Sequence, residues 1–249
     1  IGSTRLHGKV LKPLAGKPLL IRMVERVMAS ELKGEVMVIT STEDADNAII
    51  DLCNKHKIPC FAGHPTDLLD RHYKAAKLMG ADVVLKIPSD CPLIDPHVID
   101  EVIEQYLSFN GNIDYVSNLH PATHPDGNDV EVMSIATLEI AWQRAEKDFE
   151  REHTTPYIWE NPHLFRTSNV AWKTGLNYSK THRWTIDYEE DYQFIKQVYD
   201  ELYEVNNNFS MGDILRLLEE KPWIYEINNK YAGEYWYRNH LDELKTVNY

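Results

Sequence analysis

The sequence predicts an α/β fold, a Rossmann-like doubly wound sheet that is mostly parallel. Three observations carry that expectation. Helix-like and strand-like segments alternate through the first half of the chain, the order that builds βαβ units. The run DVVLKI at 82–87 is almost wholly apolar, as a strand covered on both faces must be. It stops at Pro88-Ser89-Asp90, which puts an acidic side chain at a strand's carboxyl end, where doubly wound sheets hold their ligands.

In order, residues 1–20 (IGSTRLHGKVLKPLAGKPLL) form an opening loop with four of the chain's 26 basic residues and none of its 39 acidic ones. A positive, glycine-containing loop suits a polyanion, and a short strand is expected upstream to feed it. Pro18 suits a first helical turn, and Leu20, Val24, Val27 and Met28 follow at helical spacing. EVMVIT at 35–40 is a β-branched strand bounded by Gly34. Thr42-Glu43-Asp44-Ala45 opens a helix through Leu52, IPCFAG at 58–63 is a strand, 67–79 a helix and 96–109 another. Strands are expected at 114–118, 130–135, 165–170 and 183–186. Helices are expected at 138–145, 152–160 and 189–203, and one begins at Ser210. The tail from Lys221 is rich in Tyr and Trp.

The 249 residues carry a formal charge of −13 and 43% hydrophobic residues. The charge argues against general nucleic-acid binding, which needs a basic face, and the apolar content supports one large core. No run is long and apolar enough to span a bilayer, so a cytoplasmic protein is expected. Cys53, Cys60 and Cys91 lack metal-type spacing and read as reduced, mostly buried thiols.

The opening loop supplies Ser3, Arg5, Leu6, Gly8, Lys9 and Gly16-Lys17-Pro18, and in these it resembles the N-terminal signature of the CMP-sugar-acid synthetases. His7 stands where that signature usually has Pro. PSDCPLIDP resembles the family's strand-end acidic motif and RWTIDYEEDYQFI its late acidic motif. With PDGNDVEV and EREHTTPYIWENP, the chain looks most like the branch called spore-coat polysaccharide biosynthesis cytidylyltransferases. The resemblance covers most of the chain. It implies the nucleotide-diphospho-sugar transferase fold in a single domain over 1–249. The core would be 1–118 and 165–204, a small substrate and dimerisation insertion about 119–164, and an aromatic tail 205–249. It also implies a homodimer, with the tail or residues 114–135 at the interface.

The reaction implied is attack of a sugar-acid hydroxyl on the α-phosphorus of CTP, with Mg²⁺ as cofactor and pyrophosphate as leaving group. Such transfers need positioning and charge neutralisation more than covalent chemistry. Gly2, Ser3, Thr4 and Gly8 would bring the loop backbone against phosphate oxygens, and Arg5 and Lys9 would neutralise them. Lys17 is either a further phosphate contact or a surface residue. Asp90 and Asp187 fall on the family's two metal-binding aspartates, although either could instead cap the following helix. Arg71 falls where the family has an arginine near the nucleotide, or it pairs with Asp67 four residues earlier. His64, Pro65 and Thr66 would shape the base pocket.

Asp126, Asp129 and Glu131 crowd one loop-to-strand edge. They read as ligands for sugar hydroxyls, against an exposed acidic turn. Arg151, Glu152 and His153 open a helix; Arg151 would meet the substrate carboxylate, against a capping and ion-pairing role. Two other classes compete. A glycosyltransferase of the related fold usually shows Asp-any-Asp at the strand end, whereas this chain has Ser89-Asp90-Cys91. A non-catalytic nucleotide-binding relative would have no need of Arg5, Lys9, Asp90 and Asp187.

Overall fold

A computed structural model of the chain describes residues 5–246. It opens with a hairpin, β1 (Pro13–Leu14) and β2 (Lys17–Pro18), turned by Ala15 and Gly16, both at positive φ (43° and 80°). Helix α1 (Leu19–Met28) follows, with Pro18 as its N-cap residue. Its inner face carries Leu19, Leu20, Met23 and Val27, while Met28 is 48% exposed, so the expected stripe is rotated by one position at its end. Two buried arginines on α1 clamp the hairpin and two distant loops. The Arg22 guanidinium donates from Nε to Leu14 O (3.1 Å), and Arg26 donates to Ile94 O (2.7 Å) and Phe209 O (2.9 Å).

Strands β3 (Val38–Ser41) and β4 (Cys60–Gly63) pair in parallel around helix α2 (Asn47–His56). Helix α3 (Leu68–Met79) leads to β5 (Val83–Lys86), and α4 (Pro96–Ser108) to β6 (Tyr115–Ser117). The order then runs β7 (Glu131–Ser134), α5 (Ile135–Arg144), α6 (Asp148–His153), α7 (Pro156–Trp159) and β8 (Thr167–Asn169). Helices α8 (Glu189–Leu202), α9 (Met211–Glu220) and the short α10 (Pro222–Tyr225) finish the body. The larger sheet has the order β5-β7-β6-β8; β6 and β8 are parallel and β7 runs against both its neighbours.

The α/β class therefore stands, with a mixed sheet covered on both faces. Strand alternation sends Val116 and Val132 into a core with α1, α4, α8 and α9, and sends Tyr115 and Met133 into a second core with α3, α5 and Trp159. That is the period-2 logic of a pleated strand acting on both layers. Among the described residues no strand precedes β1, and β3 is not paired with β5.

Two sequence expectations change. Residues 183–186 do not form a strand. Their backbone bonds two loops instead: Trp184 N donates to Asp126 O (2.7 Å) and Ile186 N to Asp90 O (2.9 Å). The single helix expected over 152–160 is broken into α6 and α7 at Thr154 (φ 75°). The chain then re-enters a helix with Pro156 in the first turn of α7, where its missing N–H costs nothing. The three cysteines are free thiols, Cys53 and Cys91 buried. No helix among the described residues is long and apolar enough to cross a membrane.

Candidate active site

The site forms where the opening loop, the end of β5 and the segment before α8 meet. Gly8 takes a left-handed conformation (φ 64°) and starts a short 3-10 turn over Lys9–Leu11. That turn carries Lys9 inward. Its ammonium donates to Ile186 O (2.7 Å), Asp187 Oδ1 (3.1 Å) and Asp90 Oδ2 (3.4 Å). Arg5 reaches the same Asp187 Oδ1 at 2.9 Å. Burial opposes the charge on Lys9, but Asp90 and Asp187 outweigh it and raise its pKa above the ordinary lysine value. Burial likewise opposes the charge on Asp90, and Lys9 holds that carboxyl below its ordinary range. Gly2, Ser3 and Thr4 lie outside the described residues.

The loop is held to the body independently of these contacts. Lys12 pairs with Glu189 (3.0 Å), and the Tyr192 hydroxyl donates to Pro13 O (2.6 Å). Lys17 pairs with Glu25 at 2.5 Å on the surface, the bland alternative of its two readings.

Asp187 is positioned by a group that spacing did not single out. The Arg183 side chain is 1% exposed and bonds Asp187 Oδ2 (2.9 Å) and Asp191 Oδ1 (3.0 Å). Asp191 is fully buried; its Oδ2 accepts the backbone N–H groups of Asp187 and Tyr188, both at 2.9 Å, and Asn228 donates to Oδ1 at 2.9 Å. Asp191 thus caps α8 while Arg183 orients Asp187. The signal present in RWTIDYEED was one arginine among four acids, and local spacing could not say which acid it served.

Asp90 Oδ2 and Asp187 Oδ1 both reach one cationic atom, Lys9 Nζ, so the two carboxylates converge on a single positive centre. One or two carboxylates completed by phosphate and water oxygens is the donor set that Mg²⁺ accepts, and the residues present fit that ion. Among the described residues no three His, Cys, Asp or Glu side chains are grouped to hold a metal by themselves. A magnesium ion here would depend on substrate oxygens.

Arg5, Asp90, Arg183 and Asp187 line one cleft of about 1520 Å³, which runs from the space between β3 and β5 to the C-terminal tail. Arg71, Asp126, Asp129, Glu131, Glu152 and His153 also face it. Arg71 packs against Gly63, where an added Cβ would come within 2.7 Å of its Cγ. Its Nε is buried without a hydrogen-bond partner, and the Asp67 carboxylate pairs with Arg151 instead. Gly127 (φ 102°) presses on the Trp184 backbone, leaving 2.7 Å for a Cβ, and so sets Asp126 beside Arg183 at 3.6 Å. Burial and the neighbouring Asp129 push Asp126 well above the carboxylate range despite Arg183. Burial and Asp90 push Asp129 up to about 7.

Glu131 sits opposite Lys86 across the β5–β7 ladder and pairs with it; the Tyr115 hydroxyl donates to its other oxygen at 2.7 Å. Burial would neutralise both members of the pair, but each holds the other charged. Lys86 was not expected at the site, because it read as one polar residue in an apolar strand. His64 Nδ1 accepts the backbone N–H of Asp67 at 3.0 Å and so shapes the turn before α3.

Arg151 takes the ion-pairing one of its two readings. It bonds Asp67 Oδ2 from Nε (2.8 Å) and Nη2 (2.5 Å), and it does not line the cleft. Asp67 caps α3 by accepting from Asp70 N (2.8 Å), so Arg151 fastens α6 to the start of α3. Arg151→Met is therefore expected to cost about 1–2 kcal/mol of stability, the scale of a charge-assisted bond. Its KM for the acceptor should stay within about twofold, because the guanidinium faces away. A urea titration and steady-state kinetics check the two halves; a large KM change with unchanged stability would reverse the assignment.

Burial drives His72, His120 and His153 down to about 4. His72 lies between Leu68 O (2.7 Å) and Thr154 Oγ1 (3.4 Å) at Nδ1. Its folded pKa is below the unfolded value near 6.5, so the unfolded chain takes up the proton first. The stability it contributes is present above about pH 6.5 and is lost as pH falls toward 4. The stability gap between wild type and His72→Gln should therefore shift against wild type by about 3 kcal/mol between pH 7 and pH 4. Urea titrations across that range measure it, and a constant gap would show that His72 ionises freely in the fold.

A family model described as cytidylyltransferase matches residues 1–230. The chain is 35% identical over 230 residues to the uncharacterized protein MJ1063 of Methanocaldococcus jannaschii, covering 92% of this chain and 90% of the relative. It is 30% identical over 227 residues to the spore coat polysaccharide biosynthesis protein SpsF of Bacillus subtilis, covering 89% and 92%. Over 113 residues it is 34% identical to the 3-deoxy-manno-octulosonate cytidylyltransferase of Trichlorobacter lovleyi, covering 44% and 43%. Among solved structures, a cytidylyltransferase from Leptospira borgpetersenii superimposes with a TM-score of 0.83 at 30% identity, covering 90% of this chain and 92% of that one.

Proposed function

This chain belongs to the cytidylyltransferase family, and on that premise we propose that it transfers CMP from CTP to a hydroxyl of a sugar acid, releasing pyrophosphate for surface-polysaccharide synthesis. The observation that carries the reading is the convergence of Arg5 and Lys9 on Asp90 and Asp187 at the floor of one cleft. Cations beside carboxylates at a strand end suit a bound triphosphate: the cations meet its oxygens, and the carboxylates hold what balances its charge. The named relatives act in spore coat polysaccharide biosynthesis and on 3-deoxy-manno-octulosonate, and they support the acceptor class.

In this reading the opening loop cradles the triphosphate, and Lys9 turns its ammonium from the carboxylates to the phosphate oxygens. Arg71 serves the nucleotide. Asp90 and Asp187 would hold Mg²⁺, which when bound supplies charge neutralisation and lowers the pKa of the attacking hydroxyl. The acceptor oxygen forms a bond to the α-phosphorus as the bond from that phosphorus to the bridging oxygen breaks, and the β- and γ-phosphates leave as pyrophosphate. Asp129, which lines the same cleft, is assigned to take the hydroxyl proton. A homodimer and a cytoplasmic setting, where CTP is at hand, belong to the same proposal.

The test is pyrophosphate release with Mg²⁺ from each of CTP, UTP, ATP and GTP against a panel of sugar acids including 3-deoxy-manno-octulosonate and N-acetylneuraminate. Release with CTP and one acid is expected. No release from CTP with any acid overturns the proposal.

A further inference from the structure

The family match ends at residue 230, yet the chain beyond it walls the cleft. We infer that this C-terminal segment is the acceptor-recognition element of the site, and that Arg238 receives the acceptor's carboxylate. The inference rests on the sugar-acid reading above and assigns it a residue.

The segment crosses from the catalytic carboxylates to α6 and α7 and is fastened at both ends. At the near end the Glu234 carbonyl accepts from Arg183 (3.3 Å), the same guanidinium that holds Asp187, and its carboxylate accepts from the Tyr188 hydroxyl (3.1 Å). Tyr231 stacks on Tyr188 with centroids 4.0 Å apart. The Tyr235 hydroxyl donates to Ser179 O. At the far end the Glu160 carboxylate accepts the backbone N–H groups of Lys245 (2.6 Å) and Thr246 (2.9 Å), and Leu244 is buried in the core beside Phe149 and Trp159. The His240 ring packs on Phe149 at 5.3 Å and faces His153 at 6.4 Å. A segment tied at both ends is preorganised, which spares the ordering cost of binding.

Between the ties, Tyr235 and Tyr237 stack in near-parallel planes (5.0 Å, 6°), and Arg238 stands beside them; all three face the cleft. Flat aromatic faces with hydroxyl rims suit a sugar ring, which is apolar on its C–H face and polar at its edge. The charge balance selects Arg238. The rest of this side is acidic, with Asp126, Asp129, Glu131 and Glu152, so an anionic acceptor needs a cation that no carboxylate already claims. Arg5, beside Asp187, is assigned above to the triphosphate, while Lys86 is spent on Glu131 and Arg183 on Asp126, Asp187 and Asp191. Arg71 stands at the end of β4 on the nucleotide side, and Lys33 at the opposite end beside the last turn of α1, donating to Ser30 O. Arg238 is 55% exposed and touches Glu234 only at 4.0 Å. A guanidinium so loosely held can turn its planar fork to a carboxylate with two parallel bonds.

The experiment uses the full chain with CTP, Mg²⁺ and, as separate acceptors, 3-deoxy-manno-octulosonate and N-acetylneuraminate, comparing wild type with Arg238→Gln and Arg238→Lys. Arg238→Gln should raise KM for the acid about tenfold or more, with kcat and the KM for CTP within about twofold. Arg238→Lys, which keeps the charge, should recover a large part of the loss. An unchanged KM for the acid in Arg238→Gln, or an equal rise in KM for CTP, overturns the assignment while leaving the sugar-acid reading in place. Absence of turnover by wild type with these two acids and with every other acid of the panel above overturns the assignment by removing the reading beneath it.

Discussion

Asp90→Asn is expected to lower kcat/KM for pyrophosphate release by about 10²–10³-fold, the scale of losing one charged group at a phosphoryl-transfer centre. The fold should survive. What Asp90 gives the scaffold comes from its main chain: its carbonyl accepts from Ile186 N (2.9 Å) and from Thr185 Oγ1 (3.0 Å). Asparagine keeps both bonds. What it loses is the negative charge that Lys9 Nζ faces at 3.4 Å. With one carboxylate left, Asp187 alone would face the cations and any divalent ion the substrate brings. Kinetics beside a urea titration separate the two effects. A variant with near-normal kcat/KM and normal stability would remove Asp90 from the reaction centre.

Arg183→Met is expected to destabilise the fold by about 3–5 kcal/mol, because it strands buried carboxylates. Arg183 is 1% exposed at its side chain and Asp191 is 0%. After the substitution Asp191 keeps Asn228 and two backbone N–H groups, which are neutral and do not balance its charge. Asp126, already held well above its ordinary range by burial and Asp129, would lose its opposing cation. Urea unfolding should show a lower midpoint at an unchanged slope. Adding Asp191→Leu should not restore wild-type stability, because the amides of Asp187 and Tyr188 would then lose their acceptor. A loss under about 1 kcal/mol would mean that the cluster is hydrated and that Arg183 is not its keystone.

Much of the fold was legible because its signals are local. The apolar run ending at Asp90, the Gly8 turn before Lys9 and the helical spacing after Pro18 need only neighbouring residues to read. The strand expected at 183–186 failed for the opposite reason. Its residues are β-prone, but their backbone partners, Asp90 and Asp126, come from distant loops. Propensity does not see what a segment will be bonded to. The choice between the two readings of Arg151 was hidden for the same reason: its carboxylate partner, Asp67, is 84 positions earlier, and an arginine beside a Glu and a His reads identically whether it faces a ligand or a cap.

The sequence by itself determined the α/β layering, the basic opening loop and the two acidic motifs, since periodicity and motif spacing are written along the chain. Only the tertiary structure decided which charge meets which. It put Lys9 between Asp90 and Asp187, gave Arg183 to Asp191, withdrew Arg151 from the cleft and laid the aromatic tail along its wall. The physical reason is that a charge's role depends on its nearest counter-charge and its distance from water. Both are fixed by packing between residues far apart in sequence, and neither leaves a periodic trace.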